Sequence, residues 1–415
     1  MKVFKFGGAS VKDAEGVKNV VRVLQHEGFE NTLVILSAMG KMTNALEKIV
    51  NSYYKKSDSI TQNIEEVKEF HFQIITDLFT DKSHSIFTET EIIFGQLGDF
   101  LIRNKSKNYN FIYDQIVGFG ELLSTKIVSS YLNENKIINN WIDVRDYIKT
   151  DSFYRDANVN WDETVNNIKK LITKKLYITQ GFLGANNENK TTTLGREGSD
   201  FTAAIFAYCL QAKNVTIWKD VEGVLNANPN YFTNAQLLKH ISYKEALEMA
   251  FYGASVIHPK TIKPLENKNI PLHVKSFFNL KNEGTIVSKG KDIEPEMPCF
   301  IVKINQILVS IAAKDFSFMV ESNLSDIFKK LDKFKLKVNL IQNSALSFLV
   351  CIEDKFDTFQ LFLNKINLKY KINYTDKVVL YTIRHSNEQA VKSIEQKGKL
   401  LLKQSTKGTV QLIMQ

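Results

Sequence analysis

Lys2-Val3-Phe4-Lys5-Phe6-Gly7-Gly8-Ala9-Ser10 opens the chain, and an amphipathic stretch begins near Asp13. Residues 2–6 read as a strand and 13–25 as a helix, joined through a glycine pair. The same alternation recurs outward from this point. Short apolar, β-rich runs fall at 32–37, 137–143, 176–180, 215–219 and 272–276, with helical patterns at 43–54, 121–132, 164–172 and 243–251. Residues 60–103 carry little strand signal and read as a helical excursion. Strand–helix alternation on this scale predicts an α/β domain over residues 1–295, a mostly parallel sheet sandwiched by helices.

Near Lys289-Gly290-Lys291-Asp292-Ile293-Glu294-Pro295-Glu296-Met297-Pro298 the composition changes to that of an exposed linker. Beyond it the pattern shortens: strands at 301–304 and 307–312, a helix at 324–334, strands at 337–342 and 346–352, a helix at 356–366 and a strand at 370–374. It partly repeats at 378–383, 388–395, 399–403 and 409–414. Two ferredoxin-like βαββ units result, the first over 300–376 and the second, abbreviated, over 377–415.

The 415 residues include 54 Lys plus Arg against 45 Asp plus Glu, a formal charge of +9. Only six are arginine (22, 103, 145, 155, 196 and 384), and the lysines are scattered among Glu, Asp and Asn. That is compositional bias and predicts no nucleic-acid partner, since nucleic-acid readers favour clustered contacts and arginine forks. No stretch approaches about 18 consecutive apolar residues, and the first residues lack a signal-peptide core, so the reading is a cytoplasmic protein with no membrane contact. Cys209, Cys299 and Cys351 are odd in number and far apart, which suits reduced core residues and no zinc site.

Five segments carry the chemistry. Gly7-Gly8-Ala9-Ser10 lets the backbone approach an anion at a helix start, with Lys5 close behind; it is neither a Walker A loop nor a Gly-x-Gly-x-x-Gly fingerprint. A tight turn with a surface lysine reads equally well. In Thr193-Leu194-Gly195-Arg196-Glu197-Gly198-Ser199-Asp200, Ser199 or Asp200 suits a helix cap, but capping leaves Arg196 unexplained; its planar fork suits a carboxylate. In Gly118-Phe119-Gly120-Glu121-Leu122-Leu123-Ser124, Glu121 either complements a helix dipole or recognises an ammonium. An arginine for a carboxylate with a glutamate for an amine describes an amino-acid site. Trp218-Lys219-Asp220-Val221-Glu222-Gly223-Val224-Leu225 follows a strand, where open sheets bind ligands. The fifth, Gly253-Ala254-Ser255-Val256-Ile257-His258-Pro259-Lys260, holds a histidine that reads as packed and hydrogen-bonded rather than catalytic.

Taken in order, these segments resemble the aspartokinases of the amino-acid kinase superfamily, and the paired units after the linker resemble that family's ACT regulatory domains. The resemblance implies ATP-dependent phosphorylation of the aspartate side chain, with Mg2+ accompanying ATP and no protein metal site. It implies that Lys5 stabilises the transferring phosphoryl group, that Gly7, Gly8 and Ser10 cradle it, and that Asp200 orients the lysine. Arg196 would hold the substrate α-carboxylate and Glu121 its α-amine. Thr43 (in Ser37-Ala38-Met39-Gly40-Lys41-Met42-Thr43-Asn44), Phe182 and Ser199 would complete the pocket. Lys219, Asp220 and Leu225 fall where the family contacts ATP. It also implies a homodimer or higher homo-oligomer through the ACT units.

Several positions depart from the pattern. Ala9 replaces a threonine, and Glu197 stands where many members have glycine. Asn230 and Ser255 replace an arginine and a lysine of the nucleotide site, and Lys219 and Lys260 are the residues expected to compensate. Asn339 replaces an aspartate common in lysine-inhibited members, which argues against lysine inhibition. Two other readings stay open: a different kinase of the superfamily, and an ACT-type amino-acid sensor whose kinase domain has decayed.

Overall fold

The computed structural model describes residues 1–171, 174–254, 257–315 and 317–415. The chain divides into two compact units. The first comprises Met1–Val224, Leu237–Leu247 and Val256–Glu294; the second comprises Leu225–Gln236, Glu248–Ser255 and Pro295–Gln415.

In the first unit β1 (Lys2–Phe6), β2 (Thr32–Leu36), β3 (Asn140–Trp141) and β4 (Leu176–Gln180) precede a short hairpin of β5 (Leu183–Ala185) and β6 (Thr191–Thr193). Then come β7 (Asn214–Lys219), β8 (His240–Ser242), β9 (Leu272–Ser276), β10 (Thr285–Ser288) and β11 (Ile293–Glu294). Nine of these form one sheet in the order β11-β8-β10-β9-β7-β1-β2-β4-β3. The strands around β1 are parallel, with Lys5 in register with Ile35 on one side and Ile217 on the other. β1, β2 and β4 are buried almost throughout, as a parallel sheet covered on both faces requires. Trp218 of β7 stacks on Phe6 at 6.1 Å and meets Phe4 edge-on at 5.9 Å. This aromatic cluster locks β7 to β1 and so fixes Lys5 and Lys219 on adjacent strands.

Helices Ile60–Leu78 and Ser85–Arg103 account for the helical excursion. The predicted strand 137–143 shrinks to the two residues of β3, and β8, β10 and β11 were not expected. The predicted helix 164–172 is Trp161–Ile168 where described; Ile172 lies outside the described residues. The helix expected after Asp200 starts earlier, as Gly198–Leu210. Its N-cap is therefore Glu197, not Ser199 or Asp200, and no side chain caps it.

The second unit holds a six-stranded antiparallel sheet. Its strands are β12 (Cys299–Ala313), β13 (Lys337–Asn343), β14 (Ser347–Glu353), β15 (Tyr370–Arg384), β16 (Leu400–Thr406) and β17 (Thr409–Met414), ordered β13-β14-β12-β15-β17-β16. The strands expected at 301–304 and 307–312 are one strand, β12, and those at 370–374 and 378–383 are one strand, β15. Asn305 and Lys377 take positive φ where the register shifts, and such a bulge reads as a turn in the sequence. The far half of β12 (307–312) pairs with β14 and with the start of β15; its near half (299–303) pairs with residues 380–384 of β15. The two ferredoxin-like repeats thus share both long strands, and the 376/377 boundary falls inside β15. Helices Glu321–Lys333, Phe359–Ile366 and Glu388–Glu395 complete the repeats; the second repeat has one helix where the first has two.

Among the described residues no helix is long and apolar enough to cross a membrane. Cys209, Cys299 and Cys351 are buried and form no disulfide.

Candidate active site

The parallel strands β1, β2, β4 and β7 end side by side, and the residues at and beyond their carboxyl ends wall a cavity of about 500 Å3 in the first unit. This is where an open parallel sheet collects its ligands. Lys5 comes from β1, Ser37 follows β2, Phe182 follows β4 and Lys219 ends β7. Glu121 enters from the first turn of helix Phe119–Glu134. Ser199 and Asp200 come from the first turn of helix Gly198–Leu210, Arg196 from the turn just before it, and Thr43 from helix Met42–Lys55.

Asp200 organises the lysines. Its Oδ1 lies 2.7 Å from Lys5 Nζ and its Oδ2 lies 3.8 Å from Lys219 Nζ. Lys5 and Asp200 are both buried. An ion pair taken so far out of water is costly to desolvate and stabilises the fold weakly, so its place at a cavity wall points to use rather than to packing.

Glu121 is the opposite case. It is 2 % exposed, its Oε1 accepts a long 3.3 Å hydrogen bond from the Ala38 N–H, and its Oε2 has no hydrogen-bond partner. Burial pushes its carboxyl up to about 8. A buried carboxyl left open on one side is expensive unless something arrives to complete it, and an ammonium suits it best. Arg196, exposed at the mouth between Gly195 (φ +79°) and Glu197 (φ +53°), offers the complementary fork.

Other predicted site residues stand apart from the cavity wall. Gly7 and Gly8 form the turn behind Lys5, and a Cβ on Gly8 would lie 2.7 Å from the Ala38 carbonyl and 2.8 Å from that of Gly40. Both obstacles are backbone, so Gly8→Ala is expected to destabilise the first unit by about 1–3 kcal/mol, read by urea denaturation; an unchanged midpoint would show that the turn relaxes freely. Ser10 is buried, its hydroxyl 3.5 Å from the Trp218 carbonyl. Asp220 is exposed, and Leu225 belongs to the second unit. Lys260 is paired with Asp156 and is not on the cavity wall. His258 caps helix Pro259–Lys268 by accepting the Lys260 N–H at 3.2 Å, the packed role the sequence suggested. Asn230 lies in the second unit and Ser255 outside the described residues.

Residues 1–276 match the model of the amino acid kinase family. The chain belongs to that family. Among curated proteins of the family, it is 31% identical over 390 residues to the bifunctional aspartokinase/homoserine dehydrogenase of Buchnera aphidicola, covering 89% of this chain and 47% of that protein. It is also 31% identical to aspartokinase 1 of Arabidopsis thaliana, covering 83% of this chain and 62% of that one. The chain spans about half the length of the curated bifunctional relatives it matches. Among solved structures of the family, E. coli aspartokinase III in complex with lysine and aspartate superposes over the whole chain with TM-score 0.83 at 25% identity, covering 96% of that chain.

Sequence reasoning passed over two side chains of this cavity wall. Tyr113 and Arg155 line the cavity with the predicted set. The usable signal was the scarcity of arginine, which had drawn attention to Arg196 but applied equally to Arg155.

Proposed function

We propose that the chain transfers the γ-phosphoryl group of ATP to the side-chain carboxylate of L-aspartate, giving 4-phospho-L-aspartate, the entry step of lysine, threonine and methionine biosynthesis. The observation that carries this reading is the half-satisfied, buried Glu121 in one cavity with Arg196 and the Lys5–Asp200 pair: a place for an α-amine, a carboxylate and a phosphoryl group. The curated relatives named aspartokinases, and E. coli aspartokinase III solved with aspartate and ADP at TM-score 0.82 and 25% identity, support it.

A carboxylate acceptor is ionised at neutral pH, so attack needs no general base, and catalysis rests on alignment and charge neutralisation. Lys5 neutralises charge on the moving phosphoryl group, and Asp200 holds Lys5 in place beforehand. Lys219, on the strand beside Lys5, adds a second cation. Arg196 and Glu121 bind the α-carboxylate and α-ammonium, while Thr43, Phe182 and Ser199 shape the pocket. Gly7, Gly8 and Ser10 form the turn facing the phosphates, and Asp220 and Leu225 lie on the chain segment leading from the nucleotide end.

Among the described residues no three acidic, histidine or cysteine side chains gather into a metal cage. Mg2+ carried on phosphates keeps its waters and needs only one or two carboxylates. Asp200 and Glu197, whose Oε2 is buried without a hydrogen-bond partner, are the carboxylates that would hold it. Bound there, Mg2+ would neutralise phosphate charge.

In this reading residues 1–295 are the catalytic domain, 300–376 and 377–415 are the regulatory units, and a cytoplasmic homodimer or higher homo-oligomer forms through them. A coupled ADP-release assay tests the activity. ADP release is expected with L-aspartate and ATP, and neither with L-glutamate nor without acceptor. Release with glutamate alone would point to another kinase of the superfamily, and none at all to a decayed sensor.

A further inference from the structure

The cavity holds a second guanidinium besides that of Arg196. We propose that Arg155 binds the substrate α-carboxylate alongside Arg196, and that Asp114 is the positioning residue that holds Arg155 there. The inference rests on the aspartate kinase reading above.

Arg155 lies 4.2 Å from the ring centroid of Tyr113 and 5.7 Å from that of Tyr109. A guanidinium stacked on a ring keeps its fork of N–H donors free at its edge. Its ion pair with Glu47 is 3.7 Å long, beyond the roughly 2.7–2.9 Å of a charge-assisted hydrogen bond. The guanidinium donates no hydrogen bond among the described residues. The Tyr113 hydroxyl, pushed up to about 12 chiefly by burial, feels Glu47, Arg155, Asp114 and Glu121 together. Arg155, packed on Tyr113, thus shares the cavity wall with Glu121. A substrate whose ammonium sits on Glu121 brings its α-carboxylate, one carbon away, within reach of Arg155, while its side chain extends toward Lys5.

Asp114 supplies an independent observation. It has no exposed surface, and both its oxygens accept the backbone N–H of Arg155, at 3.1 and 3.0 Å. The same carboxylate accepts the Thr193 N–H and hydroxyl, each at 2.9 Å. The turn is tied again where Ala157 N–H donates to the Thr193 carbonyl and Asp156 pairs with Lys260. Among the described residues fourteen other non-glycine residues share the positive φ of Arg155, so that conformation alone decides nothing. A fully buried carboxylate that ties a surface arginine's N–H to Thr193 is different. Burying it is costly, and apolar packing would serve stability as well. What the carboxylate provides is a fixed place for the Arg155 turn.

Steady-state kinetics test this with Arg155→Ala, Arg155→Lys and Asp114→Asn, and with Arg196→Ala as reference. Losing a charge-assisted contact predicts an aspartate KM about 10- to 100-fold higher for Arg155→Ala, with the ATP KM unmoved. Arg155→Lys should recover only part of the loss, since an ammonium lacks the fork. Asp114→Asn should show a smaller rise with the same signature. L-isoasparagine, whose α-carboxylate is an amide, should lose nothing further in Arg155→Ala. An aspartate KM unchanged in Arg155→Ala but raised in Arg196→Ala overturns the inference and leaves the kinase reading intact. A wild-type enzyme that phosphorylates no aspartate overturns both. Arg155 is partly exposed, so its variants remain informative even if Asp114→Asn does not fold.

Discussion

Lys5→Met is expected to lower kcat by about 10³-fold or more, with a smaller effect on the aspartate KM. The size follows from the kind of catalysis. With an ionised acceptor, most of the rate enhancement comes from cations fixed where charge moves, and removing one such group typically costs about 10²–10⁵-fold. Lys5 qualifies because it is fixed before substrate arrives: parallel neighbours hold β1 on both sides, and Asp200 grips its ammonium at 2.7 Å. The substitution also strands a buried carboxylate, which ordinarily costs about 3–5 kcal/mol, although Lys219 at 3.8 Å remains to pair with it. Lys5→Met with Asp200→Asn should therefore recover stability without recovering rate. Turnover within tenfold of wild type in Lys5→Met would falsify the assignment.

Glu121→Gln is expected to weaken aspartate while strengthening the fold at high pH. Removing the charged partner of a buried ammonium typically costs about 2–5 kcal/mol, or about 10²–10³-fold in kcat/KM for aspartate, and the ATP KM should not follow. The stability effect has the other sign. The Glu121 carboxyl rises from 4.5 to about 8 through burial, so between those values the folded chain holds a proton that the unfolded chain has released. Its contribution makes stability fall as pH rises from about 4.5 to about 8, with the full cost present above that. Glutamine carries no such cost. The variant should melt higher than wild type at pH 9, and the difference should shrink toward pH 5. A Tm difference independent of pH would show that Glu121 does not titrate in this range, and retained aspartate affinity would remove it from the substrate site.

The sequence showed the first unit's central strands clearly, because buried parallel strands are short β-rich runs set between helices. β1, β4 and β9 have the bounds their apolar runs suggest. The short strands β8, β10 and β11 were not legible; two to four residues long, they form around β8, whose partners β10 and β11 lie far along the chain. β12 and β15 each looked like two strands because a bulge residue with positive φ carries the same local signal as a turn. Within the site, Lys5, Glu121, Arg196 and Asp200 were legible because each sits at the junction of a glycine-rich turn and a regular element. Arg155 was not. What places it is a carboxylate 41 residues earlier in the chain, and no local pattern records that pairing.

The sequence by itself determined the α/β alternation, the two-part organisation and most of the polar residues that gather at one cavity. These follow from local periodicity, turn chemistry and motif spacing, all written within a few tens of residues. Only the tertiary structure decided which cations meet which carboxylates. It put Lys219 beside Asp200 and Lys260 against Asp156, and it left Glu121 buried with one oxygen unpartnered. Charge pairing and desolvation depend on distances across the fold, and those distances exist only once the sheet has brought the ends of β1, β2, β4 and β7 together.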